Sequence, residues 1–174
     1  MKKFYYLLVM VVALLATSCH GVSPDADEEA VLIYKPWFFG HGGVDMKPIE
    51  SGLTWCWWST YSETFKIIPV KHQVDMDDLF SDDNTPLDFH TIIITQIKKG
   101  KSPILLQNYG VDWFNTNIYN YYCNLVRDHI SQHSPFDLMS NRAILNEIDE
   151  KVLQQMKAYV ETLSKDKEFP IVIP

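Results

Sequence analysis

The order of the predicted elements assigns this 174-residue chain to the α+β class. Strand-like runs, rich in β-branched and aromatic residues, fill its first half. Amphipathic helical patterns follow Gly100, and a short apolar run, FPIVIP, ends the chain. Because strands and helices are grouped rather than alternating, we predict an antiparallel or mixed sheet packed by helices, with a short terminal strand.

The first 18 residues have the pattern of an export signal. Two lysines precede an apolar run from Phe4 to Ala16, which is shorter than the roughly 20 residues that span a bilayer. The run leads to Ala16-Thr17-Ser18-Cys19, which resembles the lipobox of bacterial lipoproteins, where the cysteine is acylated and the chain is cut before it. The lipobox favours leucine three residues before the cysteine, whereas Leu15 lies four before. An ordinary cleaved signal and an uncleaved anchor therefore remain alternatives.

Residues 19–29 are polar and acidic and contain one proline. This composition predicts a tether between an acylated Cys19 and a folded domain over residues 30–174. Ten residues of extended chain reach at most about 35 Å. The domain should therefore lie close to the bilayer.

Several strands are predicted after the tether. They are Ala30–Phe39, the LTWCWW run, the TFKIIPVKHQVDM run and a long strand within residues 81–100. In the long strand, alternation directs six side chains to one face: Leu87, Phe89, Thr91, Ile93, Thr95 and Ile97. Its middle is apolar on both faces, which predicts a central strand covered on both sides, with Ile93 buried.

The second half predicts helices. SPILLQNYG begins at a Ser-Pro cap and closes at Gly110, and SPFDLMSNR has a second Ser-Pro start. Helical spacing also runs through VDWFNTNIYNYYCNLVRDHIS. A long helix from about Ser140 to Ser164 carries one apolar stripe that includes Ile148, which we expect to be buried.

Composition excludes two classes of protein. Hydrophobic residues make up 47% of the chain, which argues against disorder, and the net charge of −7 argues against binding nucleic acid. The same charge argues against attachment to an anionic membrane by electrostatics alone. Cys56 and Cys123 form no metal motif; free buried thiols are favoured, although export would permit their oxidation.

The residues from about Glu29 to Ile173 resemble the SPFH domain of stomatins, prohibitins and flotillins, also called band 7. The resemblance rests on hydrophobic patterns in a fixed order: GGV (42–44), ESGLTW (50–55), DNTPLDFHTIIITQI (83–97), LVRDHIS (125–131) and FDLMSNRAILNEI (136–148). The resemblance implies a non-catalytic scaffold that organises other membrane proteins. Together with the lipobox-like signal, it predicts a lipid-anchored scaffold in the cell envelope, facing the periplasm or the cell surface.

Two departures from the family bear on assembly. Its members usually reach the membrane through a hairpin or a transmembrane segment, and they continue into a long coiled coil. This chain would use acyl groups, and it stops at Pro174, where the last strand is still forming. We therefore expect a minimal or truncated domain that self-associates weakly off the membrane.

Tryptophans are concentrated near the predicted tether, at Trp37 and in the WCWW run, residues 55–58. Alternation directs Trp55 and Trp57 to one face, and Cys56 and Trp58 to the other. One set belongs to the core, and the other either joins the core, lies at the bilayer interface or stacks on a sugar. Trp37, Trp55 and Trp57 are thus candidate membrane or ligand contacts. An alternative function is a glycan- or ligand-binding lipoprotein that uses these hairpins.

No pattern in the sequence predicts catalysis, a metal or a cofactor. Neither a G-x-S-x-G elbow nor a glycine-rich phosphate loop is present. His129 and His133 have helical i, i+4 spacing but lack the glutamate of a zinc motif, so we interpret them as surface residues. The acidic run at residues 75–84 lacks the glycine and distal glutamate of a calcium loop.

Overall fold

The computed structural model of the chain describes residues 19–37 and 40–174. The strands in these ranges are β1 (Cys19–Val22), β2 (Glu28–Tyr34), β3 (Gly43–Val44), β4 (Thr54–Trp57), β5 (Thr60–Lys66), β6 (Val70–Phe80), β7 (Pro86–Ile97) and β8 (Ile171–Val172). Between β7 and β8 lie α1 (Ser102–Tyr109), a π-helical segment (Phe114–Tyr119), α2 (Asn120–Ile130), α3 (Pro135–Ser140) and α4 (Arg142–Asp166). The predicted α+β class, with a short terminal strand, is confirmed. The predicted signal, residues 1–18, and the predicted strand end at Phe38 and Phe39 lie outside the described residues.

The strands form three small antiparallel sheets. β1 pairs with β4, β2 lies between β3 and β5, and β7 lies between β6 and β8. Of these pairs, β2–β3 and β6–β7 join strands that follow one another directly, whereas β1–β4, β2–β5 and β7–β8 join strands that other elements separate along the chain. The β1–β4 ribbon packs against the β2 sheet through Val22, Cys56, Ala30 and Leu32.

The main core lies between one face of the β6–β7–β8 sheet and the helices. Ile93, Thr95 and Ile97 are buried on this face, as the alternation predicts. Ile92, on the opposite face, is 56% exposed. The predicted cover on both sides of β7 is therefore wrong. The run of isoleucines indicated two buried faces, but helices pack on only one.

The long helix matches its predicted extent within two residues. α4 begins after Asn141, whose side chain accepts a hydrogen bond from the Ala143 N–H, and ends at Asp166. Its buried stripe consists of Ile148, Val152, Met156 and Val160. The burial predicted for Ile148 is confirmed.

The other predicted helices are also present. α1 has Pro103 in its first turn and is followed by Gly110 at φ 77°, a conformation that favours glycine. α3 is capped by Ser134, whose hydroxyl accepts a hydrogen bond from the Asp137 N–H. The aromatic stretch before α2 begins with a π-helical turn rather than a regular α-helix.

Residues 19–29 differ from the predicted tether. Cys19–Val22 pair with β4, and Glu28 and Glu29 already belong to β2. The segment between β1 and β2 is therefore short. Pairing of β1 with β4 holds Cys19 directly against the folded domain. The composition of this segment is polar, but its backbone is fixed by pairing with a strand more than thirty residues further along the chain.

A buried carboxylate joins the β2 sheet to the start of α1. Glu29 has no exposed surface, and its side chain accepts hydrogen bonds from the Gly100 N–H at 2.6 Å and the Ser102 hydroxyl at 2.5 Å. Each of the two carboxyl oxygens accepts one of these bonds. This contact fixes the β2 sheet, and the ribbon packed on it, relative to the helical half.

His72 on β6 packs against the π-helical segment. Its ring stacks on Phe114 with 3.7 Å between centroids, and its Nε2 lies 2.9 Å from the Thr95 hydroxyl. Burial lowers the pKa of His72 below its usual value. The folded state therefore favours the neutral ring.

This pKa shift predicts a pH dependence of stability. A folded-state pKa below the unfolded value, about 6.5, gives stability that is present above that pH and is lost as the pH falls through the folded pKa. We expect His72→Gln to flatten the decline of the denaturation midpoint as the pH falls below about 6.5. Replacement of the exposed His90 is the control. Its hydrogen bond to Asp75 raises its pKa, so its contribution to stability changes with pH in the opposite direction. An equal acid decline in wild type and His72→Gln would contradict the assignment.

Candidate functional site

The β1–β4 ribbon brings Cys19 next to tryptophan side chains. In its register Cys19 lies opposite Trp57, and Gly21 lies opposite Trp55. Directly opposed residues in an antiparallel pair direct their side chains to the same face. Cys19, Trp55 and Trp57 therefore share one face of the ribbon.

That face is open to solvent. Trp55 is 70% exposed and Trp57 is 53% exposed, whereas Cys56 between them is buried. Gly21 permits close packing on this face, because a β-carbon there would lie 2.6 Å from the Leu53 side chain. Of the three readings of the tryptophan face, burial in the core does not hold for Trp55 and Trp57.

Two further tryptophans extend the surface. Trp37, which is 71% exposed, follows β2, and Trp58 lies in the turn between β4 and β5. Their rings make an edge contact with centroids 5.0 Å apart. We call the set Trp37, Trp55, Trp57 and Trp58 the tryptophan surface. The sequence predicted that Trp58 would face away from Trp57. Because β4 ends at Trp57, strand alternation does not test this prediction.

A cation and two tyrosines lie at the ends of β2 and β5 beside this surface. The Lys35 ammonium lies 4.4 Å from the centre of the Tyr61 ring, and the Tyr34 hydroxyl donates to Asp45 at 3.0 Å. Lysine and tyrosine side chains have apolar bodies and polar ends, which suits a boundary between water and lipid. This group was not predicted from the sequence, although Lys35, two residues before Trp37, was the available signal.

A groove of about 370 Å³ opens between the ribbon and the end of β2. Trp55, Trp57, Tyr34 and His41 line its rim, and buried Leu32 and Cys56 lie deeper. Burial raises the pKa of the Cys56 thiol, which disfavours the reactive thiolate. The groove can receive an apolar or aromatic-stacking group.

Cys56 and Cys123, the two cysteines other than Cys19, are free thiols in the structure. Cys56 is buried in the ribbon contact and Cys123 is half-buried on α2. Burial is the main cause that raises the pKa of Cys123.

His129 lies on α2 with its Nε2 3.3 Å from Gln155, and His133 lies after the end of that helix. In residues 19–37 and 40–174, no three histidine, cysteine or acidic side chains cluster with the spacing of a metal site.

The acidic run at residues 75–84 is not one loop. Its first six residues belong to β6, and the turn follows only at Ser81. In that turn the Ser81 hydroxyl donates to Asp83, and Thr85 donates its N–H to the same carboxylate. These bonds lower the pKa of Asp83. Its carboxylate is thus used to close the turn between β6 and β7.

Antiparallel sheets followed by helices make this a small α+β domain, and the tryptophan surface is exposed on it. The sequence profile of the SPFH domain / Band 7 family matches residues 26–164, well over half of the chain. The chain therefore belongs to the SPFH domain / Band 7 family. Proteins of this family are generally membrane-associated, non-enzymatic scaffolds. No curated protein matches the chain significantly.

None of the helices in the described residues has the length and hydrophobicity needed to cross a membrane. α4, which is 25 residues long, carries charged residues on its exposed side and an apolar stripe on the other. That pattern is typical of a helix packed on a core.

Proposed function

We propose that this protein is a lipid-anchored scaffold that organises other membrane proteins in the cell envelope, facing the periplasm or the cell surface. The observation that carries the proposal is the register of Cys19 with Trp57, which sets the cysteine of a lipobox-like sequence beside an exposed tryptophan surface. Membership of a family of membrane-associated scaffolds supports the same conclusion.

The two features act together on a bilayer. Two or more acyl chains at Cys19 give stable anchoring, whereas one gives only marginal binding. Tryptophan side chains favour the level of the lipid headgroups, and β1 leaves no slack between Cys19 and the ribbon. The anchored domain therefore rests on the membrane through its tryptophan surface, and the Lys35 ammonium, which lies over the Tyr61 ring, contacts lipid phosphates.

Scaffolding in this proposal depends on confinement. Attachment to a bilayer raises the effective concentration of neighbouring copies and partners without adding any contact. We therefore infer weak self-association of the unlipidated domain and clustering on membranes. The partners are other membrane proteins, and the role involves no chemistry by this chain.

Loss of the cysteine tests the anchor. We expect Cys19→Ala to abolish incorporation of labelled palmitate and to leave the chain soluble or uncleaved, because no other thiol lies at the predicted cut. Membrane fractionation and labelling in cells measure both effects. Cys123→Ala is the control and should label like wild type. Label in the Cys19→Ala protein would show that the anchor assignment is wrong.

A second candidate function is binding of a glycan or another ligand, since the 370 Å³ groove is lined by Trp55 and Trp57. Aromatic faces stack on sugar rings as readily as they lie at a lipid interface. In this case the exposed tryptophan rings would stack on the ligand rather than lie among lipid headgroups, and the anchor would only localise the protein.

Tryptophan fluorescence separates the two functions. In nanodiscs containing brominated lipid, the membrane-contact function predicts quenching that falls in Trp57→Ala, while buried Trp113 supplies an unquenched background. The glycan function predicts no quenching, but a saturable change on adding oligosaccharides that Trp57→Ala removes. Wild-type emission unaffected by brominated lipid would exclude contact of this surface with the membrane.

A further inference from the structure

One edge of β7 is open along most of its length. β8 pairs with β7 only at Gln96 and Ile97. In the described part of the chain, no other strand pairs with β7 on that side, while β6 covers the opposite edge as far as Pro86. A row of unpaired main-chain groups at a sheet edge is a template for another extended segment.

The contacts of β8 identify which groups are open. The Lys98 N–H donates to the Pro170 carbonyl at 2.9 Å, two residues beyond the Gln96–Val172 pair on each strand. Main-chain groups alternate between the two edges of a strand. Ile94 and Ile92 therefore direct their N–H and C=O groups to the same edge as Gln96, past the end of β8.

This edge borders a groove of about 260 Å³ between β7 and α4. The edge of β7 from Ile92 to Ile94 forms one wall, Val152 and Met156 form the other, and Asp149 also lines the groove. Ile173 lines the end nearest β8. We call this the edge groove. It lies on the helical half of the domain, apart from the tryptophan surface.

We propose that the edge groove binds an extended segment of a partner protein as an added strand, antiparallel to β7 and in line with β8. Strand addition obtains affinity from main-chain hydrogen bonds and specificity from alternate side chains. β8 itself shows the side chains that suit this edge, because its Ile171 is buried against the same core. The partner segment should therefore be rich in β-branched apolar residues.

Charge defines the remaining chemistry of the partner. A strand antiparallel to β7 runs from Ile94 towards Asp88, and Asp149 lies along the groove on the side away from β8. Both carboxylates are solvent-exposed, and the whole chain carries a net charge of −7. We therefore assign the partner a basic residue near the C-terminal end of its added strand. The open stretch from Pro86 to Ile94 accommodates about six to eight residues at roughly 3.3 Å each.

A defined peptide tests the proposal. The probe is a fluorescein-labelled octapeptide that alternates valine and threonine and ends in two lysines; its control ends in two glutamates. The full chain in nanodiscs should bind the lysine peptide more tightly by about tenfold at low salt, with a smaller difference at high salt. Hydrogen–deuterium exchange should slow in fragments covering residues 86–97, because Ile92 and Ile94 gain hydrogen-bond partners.

Two variants sharpen the test. Asp149→Lys should remove the preference for the lysine peptide, whereas Glu150→Lys, an exposed neighbour that does not line the groove, should keep it. Ile92→Pro removes one open N–H at an edge that tolerates proline, and should abolish the slowed exchange. If Ile92→Pro does not fold, the lysine variants decide. Equal effects of Asp149→Lys and Glu150→Lys, no peptide binding, or slowed exchange at the tryptophan surface instead would overturn the proposal.

Discussion

Replacing Glu29 with alanine is expected to destabilise the domain by about 2–4 kcal/mol. The carboxylate is fully buried and accepts hydrogen bonds from the Gly100 N–H and the Ser102 hydroxyl. Alanine leaves both donors without this acceptor in a site that water does not reach, and hydrogen bonds to charged groups are the stronger ones. Chemical denaturation of the purified chain measures the loss.

The neighbouring residue provides a matched control. Glu28 is half-buried on β2 and differs from Glu29 mainly in the direction of its side chain, so Glu28→Ala should cost less than about 0.5 kcal/mol. Ser102→Ala removes one of the two donors and should have an intermediate effect of about 1 kcal/mol. Similar midpoints for Glu28→Ala and Glu29→Ala would show that the buried carboxylate does not hold the two halves together.

The importance of Glu29 could not be read from the sequence. It lies at the start of a strand-like run, where a charged residue is usually exposed. Its two partners are 71 and 73 residues further along the chain, and no local pattern connects them. The same holds for β1, whose four residues show no strand pattern and are fixed by pairing with β4.

Elements with strong periodicity were predictable. The stripe on α4 and the alternation on β7 each repeat over many residues, so one face of each element was assigned correctly. The other face of β7 was assigned wrongly, because Ile92 and Ile94 are as apolar as Ile93. Whether a second layer covers them depends on how many helices pack on the sheet.

The candidate site was only partly predictable for a related reason. The sequence singled out Cys19, Trp37, Trp55 and Trp57, and the ribbon register relates Cys19 to two of the three tryptophans. Hydrophobicity alone favours burying tryptophan, and composition does not reveal which strand face a neighbouring sheet covers. The inward direction of Cys56 settles this, since Val22, Ala30 and Leu32 fill the inner face of the ribbon.

The second large loss of stability is expected for replacement of Ile93, on the buried face of β7. Ile93→Ala removes a side chain that is packed between the sheet and the helices, and should cost about 2–5 kcal/mol in the free energy of unfolding. The cost combines two parts: the transfer free energy of the deleted apolar atoms, and the cavity that remains. The cavity persists because β7 is paired with β6 and packed on the helices, so its neighbours cannot fully close around the deleted side chain. Urea denaturation followed by far-ultraviolet circular dichroism gives the value.

Ile92→Ala is the control that makes this a test of strand register rather than of hydrophobicity. It deletes the same atoms one residue earlier, from a side chain that is 56% exposed, so its cost should stay below about 1 kcal/mol. A shift of β7 by one residue relative to the core would exchange the two side chains and reverse the order of the two effects. Equal losses would mean that both faces are covered, as the apolar run alone suggests. A larger loss for Ile93→Ala means that the face carrying Ile92 is open in the folded domain and that only the Ile93 face packs on the helices.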